Sequence, residues 1–205
     1  MKLVGIDKWR ELDGDNTLAL DWDLTEDSHV WEIGGFEGHW AQQMWDKFHC
    51  NITIFEPQDW AYHKLLKRFL GNIKITILPY GLWTHDDVLI MGNFETDGAS
   101  VVNNGKGPHE RIGVKDIVPE IQRFVRRHPI DLALMNIEGA EFPVLERVLQ
   151  GNAFIHFCQF WAQFHPVLVE NGDNRAWDLF ARMEATHQVL WECYPTAVAW
   201  RRKDG

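Results

Sequence analysis

The sequence has few of the residues on which several common enzyme classes depend. It contains only two serines, Ser28 and Ser100, and neither lies in the Gly-x-Ser-x-Gly turn of serine hydrolases. The three cysteines, Cys50, Cys158 and Cys193, form no Cys-x-x-Cys pair, so we expect neither a disulfide framework nor a zinc knuckle. The ten histidines include no His-Glu-x-x-His motif, and the spacing of residues predicts no metal site.

Long apolar runs and positive charge are also scarce. No run of about 18 apolar residues occurs, so we predict no membrane-spanning helix and no membrane partner. The 20 Lys and Arg residues face 30 Asp and Glu residues, a formal net charge of −10. Because a negative chain repels phosphate backbones, we expect no nucleic-acid partner. Unpaired cysteines and the absence of a visible signal peptide favour a cytoplasmic protein.

The composition that remains is typical of a folded domain. Hydrophobic residues make up 45% and charged residues 24% of the chain, and the length predicts a single domain over residues 1–205. Within it, residues 1–27 are polar and turn-rich, with a short strand expected at 18–22. Residues 82–113 are expected to form a surface flap with one strand at 88–91.

The rest of the chain alternates between strand and helix patterns. The alternation occurs about five times, and two closely spaced strands at 187–193 and 197–201 end the sequence. Such alternation indicates right-handed βαβ crossovers. We therefore predict an α/β fold with a doubly wound, mostly parallel sheet of seven strands and a C-terminal antiparallel hairpin.

A glycine-rich loop follows the first regular strand. Residues 30–38 read Val-Trp-Glu-Ile-Gly-Gly-Phe-Glu-Gly, and Gly34, Gly35 and Gly38 would let a ligand approach the backbone. The spacing differs from the dinucleotide motif G-x-G-x-x-G, and Glu32 precedes the first glycine. A carboxylate there suits a cationic amino-acid ligand better than a pyrophosphate.

Polar residues also follow two later strands. Glu56, followed by Pro57, ends the next strand 24 residues after Glu32, near the offset of about 20 residues at which a carboxylate reaches ribose hydroxyls. Glu56 could equally cap a helix that begins at Pro57. Asn136 and Glu138 leave the strand predicted at 130–137 and are expected to face the ligand crevice.

Taken in order, these motifs resemble those of the FkbM-type methyltransferases. That family has D-x-G-A-N-x-G, then E-P, then D-x-E-G-A-E, and the similarity extends over about residues 27–149. The matching positions are Glu32, Gly34, Gly38, Glu56, Pro57, Glu138, Gly139, Ala140 and Glu141. Glu32 falls where the family has aspartate, Phe36 replaces its asparagine, and Asn136 stands where it usually has aspartate.

The resemblance implies a Rossmann-like methyltransferase fold and S-adenosylmethionine as cofactor. The implied reaction is methyl transfer to a hydroxyl of a small molecule or sugar. The implied cofactor contacts are Glu32 for the methionine amino group, Gly34, Gly35, Phe36 and Gly38 for the rest of that moiety, Glu56 and Pro57 for the ribose, and Tyr80 and Gly81 for the adenine.

The catalytic residues are predicted from the same strand ends. We expect Asn136 to orient the acceptor and Glu138 either to accept its proton or to position it, with His165 as the alternative base. Trp161 and Phe164 either wall an acceptor pocket or belong to the core. Because Asn136 cannot act as a base, a catalytically silent binding protein is an alternative. A metal ion held by Asn136, Glu138 and a residue distant in the sequence is another alternative. An NAD-type oxidoreductase is disfavoured by the glycine spacing.

Overall fold

The computed structural model describes residues 5–93, 96, 98–102 and 108–203. Ten strands are found there: β1 (His29–Ile33), β2 (Asn51–Phe55), β3 (Ile75–Leu78), β4 (Gly81–Trp83), β5 (Asp87–Gly92), β6 (His109–Asp116), β7 (Ile130–Met135), β8 (Phe157–Ala162), β9 (His187–Cys193) and β10 (Ala197–Arg202).

Seven of the strands form the main sheet, in the order β3-β2-β1-β7-β8-β10-β9. The first five of these pair in parallel, whereas β10 is antiparallel to both β8 and β9. The prediction of a doubly wound, mostly parallel sheet with a C-terminal hairpin is confirmed.

Helices cover both faces of this sheet. They are α1 (Gly5–Glu11), α2 (His39–Phe48), α3 (Asp59–Arg68), α4 (Ile117–Phe124), α5 (Glu141–Gln150) and α6 (Gly172–Met183). One core cluster lies between the sheet and α1, α2 and α3, and the other between the sheet and α4, α5 and α6. Over the described ranges, no helix is both long and apolar enough to cross a membrane.

The main strands alternate their side chains between the two clusters. In β7, Leu132 and Leu134 pack on the α2 side, and Ala133 and Met135 pack on the α5 side. All four are buried. Strands buried on both faces read as continuous apolar runs, which is the pattern expected of a central parallel strand.

The N-terminal segment differs from the prediction. The strand expected at 18–22 is wrong, because the chain forms a 3-10 turn at Leu18–Leu20 after α1. Trp9 of α1 stacks on Trp161 of the main sheet with ring centroids 6.0 Å apart, and Trp22 is also buried. The burial of these large aromatic side chains stabilises the segment against the sheet. A strand at 18–22 would have no neighbouring strand there, among those described, with which to pair.

The segment expected as a flap is a second, small sheet. Its strand order is β4-β6-β5, so it holds three strands where one was predicted. The last of these strands in the chain, β6, continues to Asp116, and α4 begins directly after it. The Asp116 carboxylate caps α4 by accepting a hydrogen bond from the Val118 N–H at 3.0 Å. Part of the expected flap, residues 103–107, lies outside the described residues.

Candidate functional site

A cavity of about 520 Å³ opens at the carboxyl ends of β1, β7 and β8, on the face that α2 covers. β1 lies between β2 and β7 in the sheet, and ligands of open α/β sheets bind at such a reversal of strand order. The volume falls within the range of small-molecule sites. We call this space the switch-point cavity; its wall includes five predicted site residues, Glu32, Gly34, Gly35, Phe36 and Asn136.

Glu32 is the most unusual of these residues. Its side chain is in β1 and the residue is only 2% exposed, yet its Oε2 atom has no hydrogen-bond partner among the described residues. Burial and the neighbouring Glu56 raise the pKa of Glu32 well above its ordinary range, and the Ala41 amide opposes this. Because an unpaired buried carboxyl group is unfavourable, the site is complementary to a ligand cation.

The glycines of the loop are required by the protein itself. Gly34 has a φ of +91°, and a Cβ atom there would lie 2.3 Å from the backbone carbonyl oxygen of Asn136. Gly38 has a φ of +73°, and its Cβ would lie 2.6 Å from the Leu65 side chain. Left-handed backbone and close packing therefore explain both glycines without a ligand. Packing within the protein therefore sets the shape of this loop, and a ligand would contact a surface that is formed without it.

Glu56 holds this loop in place. One oxygen of its carboxylate accepts a hydrogen bond from the Phe36 N–H at 2.7 Å, and the other accepts one from the Gln58 N–H at 2.8 Å. Burial raises the pKa of Glu56 to about 7, against the lowering effect of these amides. Glu56 thus links the end of β2 to the glycine loop. Within the described structure it is not among the residues that line the switch-point cavity.

The residues predicted for the ribose and adenine lie next to the cavity rather than in it. Pro57 and Gly81 line a separate space of about 40 Å³ beside Gly34, which has room for a few water molecules and not for a purine. The Tyr80 side chain points elsewhere, because its hydroxyl donates to the Glu120 carboxylate of α4 at 3.3 Å.

The predicted catalytic residues diverge at the end of β7. The strand expected at 130–137 ends at Met135, and the ladder continues only as far as the Asn136 N–H, which donates to the Ile33 carbonyl. Asn136 lines the switch-point cavity. Glu138 has a φ of +52° and directs its carboxylate to His165, with Oε1 3.1 Å from Nε2.

His165 bridges two carboxylates. Its Nδ1 lies 3.1 Å from Glu141 Oε1, and the buried Glu141 also accepts hydrogen bonds from the N–H groups of Ile137 and Gly139 at 2.7 and 2.8 Å. Burial lowers the pKa of His165, but the bonds to Glu138 and Glu141 outweigh burial and raise that pKa to about 10. An imidazolium with both N–H groups donated has no lone pair with which to accept a proton.

The structure places Trp161 and Phe164, whose roles the sequence left open, in different surroundings. Phe164 packs in the core against Phe142 and Phe180. Trp161 lines the switch-point cavity together with Gln163, which sequence reasoning did not select. The period-two alternation of β8 would have predicted that Trp161 and Gln163 lie on the same face.

No metal centre is formed by the side chains that the structure describes. Within those ranges, no group of three or more His, Cys, Asp or Glu residues is arranged to hold an ion.

Comparisons with known proteins show the fold. No protein-family model and no curated protein matches the chain. An rRNA methylase from Streptococcus thermophilus matches in structure with a TM-score of 0.57 at 10% identity, over 94% of this chain and 96% of that chain. The METTL16 methyltransferase domain matches with a TM-score of 0.54 at 10% identity, over 98% and 71%. The fibrillarin pre-rRNA processing protein of Methanococcus jannaschii matches with a TM-score of 0.51 at 10% identity, over 88% and 69%. The chain has the Rossmann-like methyltransferase fold.

These structures correct one prediction. The expectation of no nucleic-acid partner is wrong, because proteins of this fold include an rRNA methylase and a pre-rRNA processing protein. That expectation came from the net charge, which sums over the whole surface, whereas recognition depends on the local charge around one site.

Proposed function

We propose that this chain is an S-adenosylmethionine-dependent methyltransferase. The observation that carries the proposal is the buried carboxyl of Glu32 at the wall of the switch-point cavity, beside the glycine loop, whose Oε2 atom has no hydrogen-bond partner among the described residues. A cationic amino group is the ligand group that this carboxyl lacks. The methylase neighbours and the resemblance of the motifs to FkbM-type enzymes support the same conclusion.

The residues present fit the amino-acid part of this cofactor. Glu32 would hold the amino group, and the loop formed by residues 34–38 would lie along that moiety, with Phe36 as part of the wall. Glu56 would act through the loop that it anchors. The space beside Pro57 and Gly81 would have to widen to admit the adenine. When bound, the cofactor supplies an electrophilic methyl group.

The acceptor is a separate part of the proposal. The resemblance implies a hydroxyl of a small molecule or sugar, with Asn136 as the orienting residue and Glu138 as the base. Glu138 is paired with His165, so it would accept a proton only after that ion pair opens. An RNA acceptor is the second candidate, favoured by the rRNA methylase and pre-rRNA processing neighbours.

Calorimetric titration tests the cofactor. We expect S-adenosylmethionine and its demethylated product to bind and NAD not to bind. A hundredfold excess over Kd should stabilise the fold by roughly 2.7 kcal/mol. Flat titrations with both S-adenosyl compounds at millimolar concentration would contradict the proposal.

Methyl transfer tests the activity. Labelled cofactor incubated with a metabolite extract and, separately, with total RNA should label a product in one of the two. Glu138→Gln should keep cofactor affinity within a few fold and lower turnover about a hundredfold or more if Glu138 is the base. Tight cofactor binding with no labelled product from either source would favour the catalytically silent alternative.

A further inference from the structure

The floor of the switch-point cavity consists of two rows of side chains that cross three strands. Glu32 of β1 pairs with Leu134 of β7, and Leu134 pairs with Trp161 of β8. Because neighbouring strands lie about 4.8 Å apart, the Cα atoms of Glu32 and Trp161 are roughly 10 Å apart. The second row lies two residues further along the chain in each case. It begins at Gly34, directly after β1, and continues with Asn136, directly after β7.

Gln163 completes the second row. The Asn136 N–H donates to the Ile33 carbonyl at 3.1 Å, and the Gln163 N–H donates to the Met135 carbonyl at 3.0 Å. These bonds continue the parallel ladder by one residue beyond the strands, and both amide side chains line the cavity wall. The Gln163 amide nitrogen also lies 3.5 Å from His165 Nε2. The cavity therefore has a β1 end with the buried carboxyl and a β8 end with amides and indoles.

Trp161 carries an unsatisfied donor at the β8 end. The residue is only 7% exposed, and its Nε1 has no hydrogen-bond acceptor among the described residues. Trp31 and Trp200 share this property, but neither of them lines the switch-point cavity. A buried indole N–H normally has a partner, so this one marks a position where a ligand acceptor atom would be favourable.

Trp40 adds a second indole to the wall, with its ring centroid 6.1 Å from that of Trp161. Indole faces favour flat rings. The amides of Asn136 and Gln163 each present a donor beside an acceptor, the arrangement that pairs with the edge of a nucleobase. Leu134 adds an apolar side chain to this part of the wall, so a flat ring with polar edges is favoured.

We propose that the β8 end binds the methyl acceptor, and that the acceptor is a nucleobase-type heterocycle, from a free nucleoside or from a single RNA strand. This rests on the proposed methyltransferase function. A nitrogen atom of the ring or its amino group uses its own lone pair to form the bond to the methyl carbon. The electron pair of the broken S–C bond stays on sulfur, and a proton on the nitrogen passes to water. No base is needed before transfer, which agrees with an asparagine at position 136.

The experiment measures acceptor binding and methyl transfer separately from cofactor binding. The protein, saturated with the demethylated cofactor, is titrated with four nucleosides, with a neutral methyl glycoside and with a short single-stranded RNA. Labelled methyl transfer to the same compounds follows. We expect binding and N-methylation of at least one nucleoside or of the RNA strand. Activity on the nucleoside identifies the free compound as the source, and activity on the strand alone identifies RNA.

Two matched variants test the residues. Trp161→Phe keeps an aromatic ring and removes the N–H, so acceptor affinity should fall about five- to tenfold while cofactor affinity is unchanged. Trp200→Phe removes a buried indole N–H that does not line the cavity, and it should leave both affinities unchanged. Gln163→Glu is nearly isosteric but charged, and it should lower acceptor affinity at least as much as Trp161→Phe does.

Three results would overturn the proposal. One is methylation of the glycoside but of no nucleoside or strand. Another is an unchanged acceptor affinity in both Trp161→Phe and Gln163→Glu. The third is normal cofactor binding with no binding of any base-containing compound, which leaves the proposed function intact. Failure of the cofactor itself to bind would instead contradict the proposed function.

Discussion

Two pairs of carboxyl groups lie at the same edge of the sheet, and they differ in what surrounds them. Glu138 and Glu141 share His165, whose two ring nitrogens each lie 3.1 Å from one carboxylate oxygen. Glu32 and Glu56 lie at the ends of β1 and β2, and burial raises the pKa of both. Glu32 keeps one oxygen without a partner in the described structure.

The difference separates a structural cluster from a binding site. Each carboxylate of the pair around His165 has a ring nitrogen of that histidine as its partner. This cluster therefore holds the loop after β7 to the segment after β8. Neither Glu32 nor Glu56 forms an ion pair among the described residues, and the charge of Arg68 only partly opposes the raised pKa of Glu32. Burial of this pair costs free energy that a cationic ligand would recover. Nearly identical residue types therefore have opposite roles, and removing each carboxylate in turn tests this.

Removing a carboxylate from the complete cluster should have the largest effect. Glu141→Gln leaves His165 with one carboxylate and places an amide donor against the N–H of Ile137 or Gly139. Breaking a buried ion pair by removal of one partner costs roughly 3–5 kcal/mol, and we expect a loss of that order in urea unfolding at pH 7. A loss below about 1 kcal/mol would show that the cluster does not stabilise the fold.

Removing the carboxylate from the incomplete pair should have the opposite effect on stability. Glu32→Gln is nearly isosteric and removes a group whose ionised form is unfavourable, so the free energy of unfolding at pH 8 should stay the same or rise. Cofactor affinity should fall by roughly tenfold to a hundredfold, because a bond to a charged group is worth about 1.5–3 kcal/mol. Lower stability together with unchanged affinity would contradict the comparison.

The free energy of unfolding should depend on pH because His165 titrates at a different pH in the folded and the unfolded protein. Its pKa is raised to about 10 in the fold from an ordinary value of about 6.5, so the folded state holds the extra proton over this window. The stabilisation is fully present below about pH 6.5 and is lost as the pH rises towards 10. Urea unfolding of the parent should show this decline.

His165→Gln is the control for that measurement. It should be less stable than the parent near pH 7, and its stability should change less between pH 7.5 and 10. The free energy of unfolding also falls as Glu56 loses its proton. That fall occurs at lower pH, between about 4.5 and the folded pKa of Glu56, about 7, and it should persist in the variant. Parallel curves for the two proteins above pH 7.5 would contradict the role of His165.

The smallest effect is the release of protons on cofactor binding. The raised pKa of Glu32 means that the empty site favours the protonated carboxyl, and a cationic amino group would favour the ionised form. Calorimetry near neutral pH in buffers of different ionisation enthalpy should show release of a fraction of a proton to about one per cofactor. Glu32→Gln should abolish it, and equal release from that variant would assign the proton to another group.

Local patterns accounted for much of the fold and for one end of the site. The period of apolar residues predicted the main strands, and the glycine loop and the polar residues after strands predicted that Glu32, Gly34 and Asn136 lie at one edge of the sheet. They do line one cavity. This succeeded because a parallel sheet brings the carboxyl ends of its strands together whatever the details of packing.

Other features depend on contacts between residues that are distant in the chain. The sequence by itself determined the strand and helix types, the shape of the glycine loop and the carboxyl at its start, since backbone conformation and side-chain alternation act over a few residues. Only the tertiary structure decided that α1 packs on Trp161, that Glu138 turns away from Asn136, and that His165 is bound on both sides. The reason is that burial, charge and hydrogen bonding at a site come from neighbours in space, and strand order brings those neighbours together from across the chain.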